Sequence, residues 1–290
     1  MSYYVKIIED SVAPCGKRCT TMEVRYPRFV HSELMTHRTK SRNSASSRAI
    51  PIKKMIENIA INPVMPVYWG TAKSGMQAGE ETALTFLAEK IWLEASKQMI
   101  VAAQKLGGLV SVNKNSGEVC SDDDPEAVKL DLHKQVVNRV LEPWMWITVI
   151  ITATDYDNFF ALRCHPDAQP EIQHLAYMMR EAYDNSTPKE LAAGDWHIPY
   201  IQSDELMLDL ETKKSISVAR CARVSYLTHD GVRSIEKDLE LYDRLTNGSG
   251  TGHWSPFEHV ARAESEEIIS GNFVGFTQLR KTFPGEYQGG

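Results

Sequence analysis

Residues 36–48 read Thr36-His37-Arg38-Thr39-Lys40-Ser41-Arg42-Asn43-Ser44-Ala45-Ser46-Ser47-Arg48. Four cationic side chains and six hydroxyls surround one asparagine. The stretch is too polar to read as a core element. Two readings remain: a solvated basic loop, or a cradle for an anion. In the second, Arg38 and Arg48 bring charge and forked donors, the serines bring hydroxyls, and backbone N–H groups close the ring.

The rest of the chain sets the background. With 290 residues, 42% of them hydrophobic, it can bury a sizeable core in one large domain or two small ones. The formal net charge is −6, so no overall basic field favours DNA or RNA, and basic clusters read as local anion sites. The apolar stretch Trp144 to Ile151 is far too short to span a bilayer. The N-terminal residues MSYYVKIIED lack the features of a signal peptide. Five cysteines form no C-x-x-C pair, which predicts free thiols in a reducing, cytoplasmic setting. No metal-ligand spacing stands out.

Hydrophobic patterning predicts strands over 3–8 and 20–25 and a short helix after Pro27 carrying Phe29, Val30 and Leu34. Pro51 is expected to stop any helix, and 64–80 reads as a loop. Thr82 to Leu106 is the clearest helix, with Leu84, Leu87, Ile91 and Ala95 as its apolar stripe and Gly107-Gly108 as its stop. Residues 113–125 read as an acidic loop. A helix is expected from Leu130 to Leu141, ending before Pro143, and then a strand over Trp144 to Thr152. Pro170 opens a helix with Ile172, Leu175 and Met179 on one face. Ser217 to Tyr226 reads as helix then turn. Ser234 caps a helix burying Ile235, Leu239, Tyr242 and Leu245, which 247–252 breaks. No composition shift marks a boundary, so the chain reads as one mixed α and β domain. The ends echo each other: a strand-like stretch leads to Phe29-Val30 and His37-Arg38, and Val260 to Ile269 leads to Phe273-Val274 and Arg280-Lys281.

Three further segments combine hydrogen-bonding groups with turn formers. They are Asn158 to Ile172 (NFFALRCHPDAQPEI), Ala222-Arg223-Val224-Ser225, and Gly252 to His259 (GHWSPFEH). Together with the opening run they resemble the flavin-dependent thymidylate synthase family. That family carries Arg-His-Arg, seven residues, then Ser; here Thr36-His37-Arg38 is followed by seven residues and Ser46, with Ser41, Asn43 and Arg48 at family spacing. The other three blocks match its Asn-Phe-x-x-Leu-Arg, Ala-Arg-Val-Ser and Ser/Thr-Pro-Phe-Glu-His segments. Their order differs, since the last two precede the Arg-His-Arg motif in the typical member. A circular permutation accounts for this, with partial copies of one unit at 20–48 and 260–288 of a single domain, 1–290.

The resemblance implies an α+β domain with a mostly antiparallel central sheet flanked by helices. It implies transfer of a one-carbon unit from methylenetetrahydrofolate to C5 of a pyrimidine deoxynucleotide monophosphate, dUMP by default. FAD would supply the hydride and NADPH would re-reduce it, in a homotetramer. Alternatives within the resemblance are dCMP as substrate, a hydroxymethyl product, or a non-catalytic flavin- or nucleotide-binding relative. By the same resemblance His37, Arg38, Asn43, Asn158, His165, Ser225, His253 and Ser255 would contact flavin. Ser46, Ser47, Arg48, Arg139, Arg163, Gln278, Arg280 and Glu286 would hold the nucleotide. Arg163 and His253 would act on the chemistry, Arg163 by stabilising charge on the pyrimidine carbonyl and His253 by placing folate. Three family residues are replaced: the first motif Arg by Thr36, a Gln by Glu33, and a Glu by Ser44. Arg280, Gln278 and Glu286 are expected to compensate. The family His before Ala-Gln is Asp167, with His165 two residues earlier.

Overall fold

The computed structural model describes residues 2–226, 234–247 and 253–284. In chain order the elements are β1 (Tyr4–Val12), β2 (Arg18–Pro27), α1 (His31–Met35), β3 (Ser41–Ser44), α2 (Ile52–Ile61), α3 (Thr85–Leu106), β4 (Val112–Asn113), β5 (Ala127–Val128) and α4 (Lys134–Val137). There follow β6 (Trp146–Ala153), α5 (Asp157–Arg163), α6 (Pro170–Asp184), β7 (Lys189–Glu190), β8 (Trp196–His197), α7 (Leu210–Arg223), α8 (Ile235–Asn247), β9 (Ala261–Ala263), β10 (Ile269–Ser270), β11 (Phe273–Val274) and β12 (Phe276–Gln278).

The central sheet has the order β3-β6-β2-β1-β7. Every pairing in it is antiparallel except the two-residue β1–β7 contact. The chain is thus α+β, with helices flanking an antiparallel-dominated sheet. Alternation explains the two faces. Met22, Val24 and Tyr26 on β2 and Ile147, Val149, Ile151 and Ala153 on β6 point one way. They pack with Ile172, Leu175, Ala176 and Met179 of α6. Ile150 points the other way, onto Cys221 and Val224 at the end of α7. Thr21 and Thr152, cross-strand partners on that second face, are fully buried. A three-stranded antiparallel sheet, β12-β9-β8, adds Phe276, Ala261 and Ala263 to a smaller core, which Phe273 of the β10-β11 hairpin joins.

Several sequence expectations change. Residues 36–48 are not a solvated loop. Ser41–Ser44 forms edge strand β3 on β6, and Lys40, Ser41, Asn43 and Ser47 are buried. The Lys40 ammonium donates to the Asp155 carbonyl at 3.1 Å and lies over the Tyr156 and Phe159 rings. Pro51 starts a helix rather than stopping one, as the residue before α2. The stripe Leu84, Leu87 and Ile91 is exposed at 64%, 48% and 61%. α3 packs instead through Trp92, Met99, Ile100 and Ala103, against α2 and Leu141. The helix expected over 130–141 is the short α4, continued by 3-10 turns that contain Pro143. α7 begins earlier than read, at Leu210, where the Asp209 carboxylate accepts from the Thr212 N–H at 3.0 Å. Ile235 is exposed, whereas Leu245 is buried. No described helix is long and apolar enough to cross a membrane.

Candidate functional site

β3 and the turn after it build one wall of a cavity of about 700 Å³. Asn43, Ser46, Ser47 and Arg48 line it from this segment, with Arg139, Ser225, His253 and Ser255 from three others. Eight expected site residues therefore converge. The Ser46 N–H donates to the Ser225 carbonyl at 3.0 Å, joining the turn to the end of the Ala-Arg-Val-Ser block. The buried Asn138 amide holds the same turn by donating to the Ser47 and Ile50 carbonyls at 2.7 and 3.0 Å. The Arg48 N–H donates to Ser46 Oγ, leaving the Arg48 side chain exposed.

Two arginines that the sequence reading left off the site also line the cavity: Arg28 and Arg42. Arg28 follows β2 directly, and its guanidinium reaches Glu142 at 3.1 Å and Ser47 Oγ at 3.5 Å. Arg42 donates to the Leu34 and His37 carbonyls at 2.9 and 3.1 Å, holding the end of α1 as a basic side chain does at a helix C-terminus. Arg42 lay in the opening run; Arg28 gave no signal beyond its place between Pro27 and Phe29. Glu142 takes both Arg28 and Arg139, the latter at 2.7 Å. Arg48 has no ion-pair partner among the described residues. Four guanidinium groups, a single carboxylate shared between two of them, and several hydroxyls form a donor set that matches a phosphate or another anion.

Arg163 does not line this cavity. It lies at the end of α5 on a second one of about 1090 Å³, with Glu33, Asp167, Tyr68, Trp92 and Glu171. Its Nε donates to His37 Nε2 at 3.0 Å, and its Nη1 donates to the Glu33 carboxylate at 3.3 Å. His37 is buried edge-on against Phe159. Burial, then the Arg163, Lys40 and Arg42 charges, lower its pKa to about 4, so the ring is a neutral acceptor for Arg163. His37, expected at the flavin, lines neither cavity, and its Nε2 accepts from Arg163.

The remaining expected residues sit elsewhere. Arg38 and Asn158 are exposed and line neither cavity. His165 is exposed, and it is Asp167 that reaches the larger cavity. Gln278, expected at the nucleotide, is 1% exposed and turned into the protein; its amide donates to Asn272 at 2.8 Å and Ser41 at 3.0 Å. Arg280 donates to Glu258 at 2.6 Å and lines neither cavity. Glu286 lies outside the described residues.

A family model described as thymidylate synthase complementing protein matches residues 18–189. Thymidylate synthase X from Helicobacter pylori, solved with FAD and dUMP, is 13% identical, with 57% of this chain and 67% of that chain covered and a TM-score of 0.37. The UMP/dUMP methylase PolB from Streptomyces cacaoi, solved with 5-Br dUMP, is 16% identical, with 63% and 90% covered and a TM-score of 0.43. No curated protein matches. The matched span takes in more than half of the chain, and the protein belongs to the thymidylate synthase complementing protein family, the flavin-dependent thymidylate synthases.

Proposed function

We propose that the protein transfers a one-carbon unit from methylenetetrahydrofolate to C5 of a pyrimidine deoxynucleotide, dUMP by default, using FAD reduced by NADPH. The observation that carries this reading is the anion cradle, where Asn43, Ser46, Ser47 and Arg48 meet Arg139, Ser225, His253 and Ser255. The flavin, when bound, supplies the hydride. Ser46, Ser47, Arg48 and Arg139 would hold phosphate, whether of the nucleotide or of the dinucleotide cofactor. Ser225, His253, Ser255 and Asn43 would line the ring system, with His253 placing folate. Arg163 would hold the pyrimidine carbonyl and stabilise charge there, an electrostatic role.

Arg163 and the cradle lie on different cavities of one chain. This supports a homotetramer in which a site draws on more than one subunit. The permuted single-domain reading is supported by contact between the two partial copies, since Ser41 meets both Asn272 and Gln278. The C-terminal copy then supports the N-terminal one from behind.

The Glu33–Arg163 pair favours a second substrate, because a carboxylate beside the base suits the exocyclic amine of dCMP. Incubation with FAD, NADPH, methylenetetrahydrofolate and either dUMP or dCMP decides by product mass. A mass gain of one methyl or one hydroxymethyl group supports the reading. No product from either nucleotide, with protein that cannot be reconstituted with FAD, would overturn it.

A further inference from the structure

The short segment from Glu33 to Arg42 stands between the two cavities and is held from both. On one side Arg42, which lines the cradle, turns a single nitrogen, Nη1, onto the Leu34 and His37 carbonyls at 2.9 and 3.1 Å. On the other side Arg163, which lines the larger cavity, donates to His37 Nε2 at 3.0 Å and to the Glu33 carboxylate at 3.3 Å. Both side-chain partners of Arg163 among the described residues therefore belong to the segment that Arg42 clamps. The buried His37 ring also sits edge-on to Phe159 at 4.9 Å, one turn before Arg163 on α5. The segment's own links are few. The Thr36 and His37 N–H groups donate to the Glu33 and Leu34 carbonyls at 3.2 Å each, and α1 has only five residues.

A guanidinium is planar and carries five N–H donors in a fixed fork. Nη1 of Arg42 uses its two on the carbonyls, while Nε and Nη2 meet no hydrogen-bond partner among the described residues. An anion in the cradle can take that second edge through two parallel hydrogen bonds. The plane is rigid, so fixing one edge fixes the other, and with it the His37 carbonyl. The same residue's ring is the acceptor that orients Arg163. Order imposed by a first ligand at Arg42 therefore lowers the entropic cost of ordering Arg163 around a second.

We propose that Arg42 is a positioning residue for Arg163: an anion held by Arg42 in the cradle steadies His37 and so readies the larger cavity for a ring ligand. This rests on the proposed function for the identity of that ring, a pyrimidine. The coupling is positive and reciprocal, and a factor of about ten lies inside the usual range for two linked sites. His37 lines neither cavity, so its removal cuts the link and leaves the cavity-lining groups in place.

NMR of the whole chain, with inorganic phosphate as the anion, tests the link directly. Phosphate that shifts the Ser46, Ser47 and Arg48 amides should slow exchange of the Arg163 Nε–H with water by about fivefold or more. Arg163→Lys, which lacks an Nε–H, identifies that signal. Phosphate that binds the cradle and leaves the signal unchanged overturns the proposal, and the proposed function stands. Phosphate that does not bind overturns both. In calorimetry, saturating phosphate should tighten deoxyuridine or deoxycytidine about tenfold, and the nucleoside should tighten phosphate by the same factor. His37→Ala should bind phosphate as the wild type does while the factor falls to about one, the value for unlinked sites; a factor retained in the folded variant overturns the route. Arg42→Lys serves should His37→Ala unfold, because an ammonium has no second edge, and a retained factor again overturns the proposal. A slowed Arg163 signal with neither nucleoside bound removes the pyrimidine from the larger cavity and leaves the link standing.

Discussion

Arg163 is held by two neighbours before any ligand arrives, the His37 ring and the Glu33 carboxylate. Glu33→Gln removes the charge from one of them. The ratio of dUMP to dCMP affinity should rise about tenfold on this change, measured by calorimetry, because a carboxylate favours the amine-bearing base. An unaltered ratio would place the base away from Arg163. Arg48 differs, being exposed and without an ion pair among the described residues. Arg48→Ala should weaken nucleotide binding roughly 10- to 100-fold, the range for a charge-assisted hydrogen bond, while leaving the melting temperature unchanged. The buried rings set the response to acid. His37, His197 and His259 have folded values of about 4, 3 and 3 against an ordinary 6.5. Their neutral forms stabilise the fold above 6.5, and that contribution is lost as pH falls through the folded values. Glu9 runs the other way, its contribution full below 4.5 and lost as pH rises through about 7. Urea midpoints should therefore fall steeply on the acid side, and Glu9→Gln should flatten only the neutral arm; midpoints independent of pH would refute this.

At the scale of elements, α3 carries two stripes at the same helical spacing. Leu84, Leu87 and Ile91 form one; Trp92, Met99 and Ala103 form the other. Trp92 packs at a tilt against Trp144, and its Nε1 donates to the Val64 carbonyl at 2.8 Å. Trp92→Ala should cost about 3–5 kcal/mol in chemical denaturation, and Ile91→Ser under about 0.5 kcal/mol. Comparable losses would mean that the outward stripe is buried in an assembly. Periodicity finds such a helix but cannot choose between its faces. The polar run was misread for a related reason. β3 is polar because its side chains bond to segments more than a hundred residues away, such as Ser255 and Gln278. Local pattern registers polarity without the partner that allows burial. Strands β1, β2 and β6 and helix α6 were legible, since their alternation or helical stripe matches the core they enter. Within the site, Asn43, Ser46, Ser47, Arg48, Ser225, His253 and Ser255 were legible from the matched blocks; Arg42 was not, although it lies inside the opening run, and Arg28 was not because it stands outside all of them.

Across the whole molecule, the cradle is a meeting of distant segments: the turn after β3, Arg139 before β6, Ser225 after α7, and His253 to Ser255. Ligand bound there is linked to the folding of all of them. At a nucleotide concentration 100 times its dissociation constant, global stability should rise by about 2.7 kcal/mol. Hydrogen exchange should slow together at 41–48, 222–226 and 253–259. Protection limited to 41–48 would show that the nucleotide touches one segment alone.

The sheet's second face has a consequence in time. Four of its five strands are complete once the chain has been made as far as Ala153, yet Thr21 and Thr152 find His197 and His259 only much later in the chain. Synthesis delivers the N-terminal part first. The nascent sheet therefore waits with two wet hydroxyls on one side, and that side becomes dry only when first His197 and then His259 have left the ribosome. The scaffold comes first, and the polar seal on its second face closes last.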